Sequence, residues 1–199
     1  MNMSENSMLF ALSDITKNGL CIGCGLCQSI VGEDKITISM TDKGRLEPEE
    51  VKPLSSEDFD KVKKICPGVL VEGLPKEEVD ENSKHDLIWG YYNSLFYSWS
   101  TDPKIRFQSS TGGFLNGLSL YLLETKQVDF ILHTAGDPDQ PMRSIPKFSY
   151  NKEDLLNCES RSRYGPASSL SKFNEALDKN QNFAFVGKPC DISAIRQLS

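Results

Sequence analysis

The sequence predicts an α/β protein, built as a small cysteine-rich N-terminal segment followed by an α/β domain with a mixed, largely parallel sheet. Four of its six cysteines fall at positions 21, 24, 27 and 66, within the first third of the 199 residues. Beyond residue 93 short apolar runs alternate with segments of helical period, and strand, helix, strand, helix is the order of an α/β layer. Hydrophobic residues make up 38% and charged residues 25%, which suits a globular chain. Its length allows one ordinary domain plus a satellite, or a part of something larger.

Residues 1–75 form the first unit. Lys35–Met40 alternates as a strand does, Gly44 marks a turn, and an acidic stretch with Pro48 and Pro53 follows. A helix then runs from Ser55 or Ser56 through Phe59, Val62 and Ile65, delivers Cys66, and is stopped by Pro67-Gly68. Residues 76–93 are a linker, polar and poor in periodicity up to Gly90. The second unit, 94–199, opens with a strand over Ser94–Trp99 and a helix over Gly113–Leu123 whose Phe114, Leu115, Leu118 and Leu122 share one face. Val128–Thr134 is a strand, and three prolines make Gly136–Tyr150 irregular. Short helices are expected over Glu153–Asn157 and over residues 168–179. Phe183–Val186 is a buried strand and Ile192–Leu198 a helix. Only three or four strands are on hand by Ser199, so the α/β domain is expected to be incomplete and the chain to be a piece of a longer protein.

A formal charge of -6 without a long Lys/Arg run argues against nucleic acid as a partner. No stretch reaches about 18 apolar residues, so membrane insertion is not expected. The N-terminus lacks the charged lead and cleavage site of a signal peptide, which points to a cytoplasmic protein. Cysteines in that reducing compartment bind metals or react more often than they form disulfides.

Cys21-Ile-Gly-Cys24-Gly-Leu-Cys27 is a CxxCxxC run. Three-residue steps wrap a chain around one corner of an iron–sulfur cubane, and Gly23 and Gly25 allow the positive φ and close approach that the wrap needs. Cys66 offers the fourth thiol in the Cys-Pro form that closes bacterial ferredoxin clusters, although much later in the chain. The segment is therefore read as ferredoxin-like, holding a four-cysteine iron–sulfur cluster. Zinc is the competing reading, but it prefers paired CxxC or CxxC with His, and neither His85 nor His133 stands at such a spacing.

A cluster moves single electrons and needs a redox partner. Ser109-Ser110-Thr111-Gly112-Gly113-Phe114 sits ahead of a helix, where hydroxyls and free N–H groups either hold a phosphate-bearing tail or simply cap the helix. Arg161 and Arg163, beside Tyr164, suit an anionic tail or are merely solvated. Gly187-Lys188-Pro189-Cys190 places a thiol at a helix start beside a cation, as a ligand, a reactive group or a small buried residue. Cys158 reads as an ordinary thiol, His85 as solvent-exposed and His133 as a satisfied core histidine. No GxSxG, P-loop or GxGxxG is present, and no catalytic residue is assigned.

In this order CIGCGLC, a later Cys-Pro, SSTGGFLNGLSLYLLE, SRYGPASS and FVGKPCDISAIRQL resemble the N-terminal half of the coenzyme F420 hydrogenase and dehydrogenase beta-subunit family, over about Leu20–Leu198. That family also includes 7-hydroxymethyl chlorophyll a reductase and a ferredoxin-dependent divinyl chlorophyllide reductase. The resemblance implies an iron–sulfur flavoprotein oxidoreductase with one or more [4Fe-4S] clusters and FAD. It implies electron exchange between a one-electron carrier and a deazaflavin or tetrapyrrole-like substrate, with ferredoxin, another carrier protein or other oxidoreductase subunits as partners. The alternative is a relay subunit with no substrate site. Carried onto this chain, the family pattern makes Cys21, Cys24, Cys27 and Cys66 cluster ligands. It makes Gly112, Gly113, Lys188 and Cys190 flavin-site or second-cluster positions, with Lys188 standing where Thr is common.

Overall fold

The computed structural model describes residues 11–73, 75–157 and 163–199. Its first elements are α1 (Leu12–Lys17), α2 (Leu26–Val31), β1 (Ile36–Met40), β2 (Leu46–Glu50) and α3 (Ser56–Ile65). β1 and β2 pair antiparallel from Ile36↔Glu50 to Met40↔Leu46, across a turn with Gly44 at φ 72°. The acidic stretch around Pro48 is thus a strand. Pro48 is tolerated because both members of a two-stranded sheet are edges, so a missing N–H can face outward. Ser55 caps α3, its Oγ accepting from the Asp58 N–H while the Asp58 carboxylate accepts from the Ser55 N–H. Lys35, 2.8 Å from that carboxylate, helps hold it down to about 2. Phe59 and Val62 come from one face of α3 and bury against Leu12, Ile15 and Ile36.

Residues 76–93 are more ordered than a linker. β3 (Lys84–Asp86) and β4 (Gly90–Tyr92) form a hairpin, because Asp86 Oδ1 accepts from the N–H groups of Ile88 and Trp89 and Gly90 takes φ 78°. Leu87 and Tyr97 are 93% and 100% exposed. Ser94–Trp99, expected as a strand, pairs with no strand among the described residues. Aromatic content raised β propensity there without a ladder to receive it.

The remaining elements are α4 (Pro103–Gln108), α5 (Phe114–Glu124), β5 (Phe130–Gly136), β6 (Ser144–Ser149), α6 (Lys152–Leu156), α7 (Phe173–Asp178), β7 (Phe183–Phe185) and α8 (Pro189–Leu198). The main sheet has the order β6-β5-β7 and is mixed, with β5 antiparallel to β6 and parallel to β7. β5 is covered on both faces, so its Phe130, Ile131 and Leu132 are all fully buried and read as a continuous apolar run. β6 occupies the stretch expected to be irregular. As an edge strand it accommodates Pro146, opposite Thr134. α5 begins where expected but turns Ser119 and Leu120 inward, leaving Phe114, Leu115 and Leu118 substantially exposed. Helical period alone cannot say which side of an all-round apolar helix meets the sheet. Among the described residues no helix is long and apolar enough to cross a membrane.

One apolar core joins the two halves of the chain. Cys24, Leu26 and Ile65 pack with Phe130, Leu132, Leu170, Phe173, Ala176 and Ala194. The Phe130 and Phe183 rings stack at 5.1 Å within it. Each such large side chain stabilises by about 1.5–3 kcal/mol on full burial.

Candidate functional site

Cys21, Cys24, Cys27 and Cys66 line one cavity whose other walls include Leu12, Ile15, Ile38, Val62 and Ile65. Local backbone geometry brings the first three together. Gly23 and Gly25 have φ of 69° and 83°, and the Gly23 N–H donates to Cys21 Sγ at 3.4 Å. A Cβ on Gly23 would lie 2.7 Å from the Leu46 carbonyl oxygen, so the loop is pressed against β2. Cys66 arrives differently, as the C-cap of α3. Gly68, two residues on, lies so close to the Leu20 carbonyl that a Cβ there would overlap it. The Cys-Pro-Gly stop therefore packs directly on the chain entering Cys21, which closes the gap of some 39 residues between third and fourth thiols.

Burial pushes all four thiols up, Cys24 to about 12, and neighbouring thiols push several of them in the same direction. At neutral pH such groups stay protonated unless a cation offsets the charge of the thiolates, which is what a bound metal centre does. Among the described residues no three His, Cys, Asp or Glu side chains are grouped for a single metal ion. The cavity between the thiols is about 30 Å³, room for a water, so a cluster would part their side chains. In kind and number the thiols fit a cluster with four Cys ligands.

A larger cleft of about 360 Å³ opens beside this cavity. Of the site residues expected from sequence, Ser110, Thr111, Arg163 and Lys188 line it. Gly112 and Gly113 stand behind the lining and shape the turn into α5, at φ 64° and 70°; a Cβ on Gly113 would lie 2.9 Å from the Ile105 carbonyl oxygen. Cys190, half-buried in the first turn of α8, lines neither the cleft nor the thiol cavity. Cys158 and Arg161 lie outside the described residues. Arg163 is anchored as well as charged, donating to Ser144 Oγ at 3.3 Å, to the Arg143 carbonyl at 2.9 Å and to the Pro141 carbonyl.

Sequence reasoning missed several polar residues of the cleft, namely Asn116, Ser119, His133, Thr134, Ser169 and Asp191. His133 is buried and bonded to Ser149 Oγ at 2.8 Å, as a satisfied core histidine would be, yet it also borders the cleft. Burial drives its pKa down to about 4, so the ring is neutral at pH 7. Asp191 is 0% exposed. Its Oδ2 accepts from Ser169 Oγ at 2.7 Å and from the Lys188 N–H at 3.1 Å, with Lys188 Nζ 3.5 Å away. An Asp at the third position of a helix that opens Lys-Pro was a capping signal available in the sequence.

The two cavities share a wall. Ala167 and Ser169 line the cleft, while the next residue, Leu170, donates its N–H to the Cys24 carbonyl at 2.8 Å. Ser168 and Ser171 close on Gly25 of the thiol loop. Asp191 is near enough to Cys24 for its charge to help raise that thiol's pKa.

Residues 95–174 match the family model described as coenzyme F420 hydrogenase/dehydrogenase, beta subunit N-term. Over those residues, which hold much of the cleft and none of the four clustered thiols, the chain is similar to that family. Among curated proteins it is 27% identical over 112 residues to a coenzyme F420 hydrogenase subunit beta of Methanococcus voltae, covering 55% of this chain and 39% of that protein. Among solved structures it is similar to a chain of the F420-reducing [NiFe] hydrogenase complex from Methanosarcina barkeri, at 28% identity and a TM-score of 0.45, over 50% of this chain and 34% of that one. The matched region thus spans little more than a third of the length of these relatives.

Proposed function

We propose that this chain is the electron-handling part of an iron–sulfur flavoprotein oxidoreductase, with a [4Fe-4S] cluster on Cys21, Cys24, Cys27 and Cys66 and a flavin, FAD by family, in the cleft. The observation that carries the reading is the shared wall, in which Leu170 bonds to Cys24 and its neighbour Ser169 faces the cleft. Bound there, a cluster would supply single-electron exchange and a flavin would supply the change from single electrons to a hydride-equivalent pair. The residues of the chain hold and insulate. Leu12, Ile15, Val62 and Ile65 surround the thiols with aliphatic walls. Lys188 and the anchored Arg163 supply positive charge for a phosphate-bearing tail, beside the hydroxyls of Ser110 and Thr111. His133 stays neutral in this setting, a hydrogen-bonding group without charge. Electrons would come from ferredoxin, another carrier protein or a companion oxidoreductase subunit, and leave to a deazaflavin or tetrapyrrole-like acceptor.

Anaerobic purification with iron, acid-labile sulfide and flavin analysis tests this reading. Iron and sulfide in equal amounts together with bound flavin are expected. Stoichiometric zinc in a colourless protein would overturn the cluster, and a cluster without flavin would leave only the relay role.

A further inference from the structure

We propose that Ser94–Trp99 is a dimerisation strand, which pairs antiparallel with the same segment of a second copy of this chain. In one copy the segment is a strand without a ladder. Its residue types favour a strand, yet among the described residues no backbone hydrogen bond engages positions 94–99. A run of unpaired N–H and C=O groups is a template for a strand from another chain.

The side chains point the same way. Leu95, Phe96 and Tyr97 are 88%, 83% and 100% exposed. Leu87, Ile88 and Trp89, at the turn of the preceding hairpin, are 93%, 82% and 85% exposed. Six side chains of this size offer on the order of 800 Å² of apolar surface. A monomer seldom leaves a patch above about 600 Å² open to water. A stable pair of proteins covers about 800 Å² on each partner, so the patch is as large as a dimer needs.

Charge favours a copy of the same chain. Two chains of net charge -6 repel one another wherever their acidic surfaces face. Positions 80–106 are close to neutral, with four carboxylates on Asp80, Glu81, Asp86 and Asp102 against Lys84, Lys104 and Arg106. A two-fold axis lays a patch against itself, so the patch must be self-complementary. Apolar side chains flanked by charges of both signs meet that condition, and an antiparallel pair of identical strands has the same symmetry.

The test uses the full chain, purified anaerobically with a reductant so that no disulfide joins two copies. Sedimentation at about 100 µM should give a dimer, since interfaces of this size bind at micromolar or tighter concentrations. Amide hydrogen exchange at positions 94–99 should be slow there and should speed up roughly ten-fold or more once dilution separates the copies. Phe96→Pro removes a ladder N–H and a ring, and Tyr97→Lys brings two like charges into the interface. Both positions are exposed in the single chain, so the urea midpoint of the diluted protein should not move. Each change should weaken the dimer by roughly 100-fold or more, because a symmetric contact loses every hot spot twice. If a variant does not fold, exchange in the wild-type chain still decides. A wild-type chain that stays monomeric hands the surface to another protein and overturns the proposal. So does a dimer whose amides at 94–99 exchange freely, or one that both folded variants leave intact.

Discussion

The thiol cavity and the cleft lie back to back, yet they are built on opposite plans. Three of the four thiols come from seven consecutive residues, and their walls are aliphatic. The cleft draws on the turn before α5, the central strand β5, the stretch from Arg163 to Ser169 and the start of α8, and its lining is rich in hydroxyls and charges. The first site follows from local backbone chemistry. The second exists only when the sheet and its helices are assembled, because its residues come from elements distant in sequence. A site of the first kind should fail through its ligands, and one of the second through its scaffold.

The largest effect that tests this contrast is all-or-none. Cys24→Ser should abolish bound iron and sulfide in the purified protein, whereas Cys190→Ser, outside both cavities, should leave them unchanged. Loss of iron from Cys190→Ser would show that the local motif is not sufficient. Next comes Phe130→Ala, which removes a fully buried ring from the core shared by both regions. It should cost about 3–5 kcal/mol in urea unfolding. Because the core is common, the variant should lose iron and flavin together in a single transition; two separate transitions would show that the regions fold independently.

The smallest effect concerns pH. His133 has its pKa lowered by burial from 6.5 to about 4. A depressed histidine contributes stability that is present above pH 6.5 and is lost as pH falls from there toward 4, since the unfolded chain takes up the proton first. Wild-type stability should therefore decline over that window by a few kcal/mol at most. His133→Gln should be less stable at pH 7 but flatter between pH 7 and pH 4, as read from urea midpoints at a series of pH values. An equal slope in both proteins would place the acid sensitivity elsewhere.

Prolines and aromatics account for most of the differences between the expected and the observed fold. Pro48 and Pro146 disguised β2 and β6, since a strand with proline looks like a loop until its edge position is known. Leu95, Phe96 and Tyr97 suggested a strand, yet they point to solvent almost completely. Ser110, Thr111, Arg163 and Lys188 were legible because hydroxyl and charged residues near helix starts stand out in sequence. Asp191 and His133 were not, because their importance comes from burial beside a cleft and not from their neighbours along the chain.

By itself the sequence determined the thiol loop, the capped helix that delivers Cys66, and the α/β alternation that follows, since spacing, capping and period act over a few residues. Tertiary structure alone decided that Cys66 meets the other three thiols, that one backbone segment separates them from the cleft, and that Asp191 is buried beside it. These depend on contacts such as Gly68 on Leu20 and Leu170 on Cys24. Packing between distant segments sets them, and no local pattern encodes it.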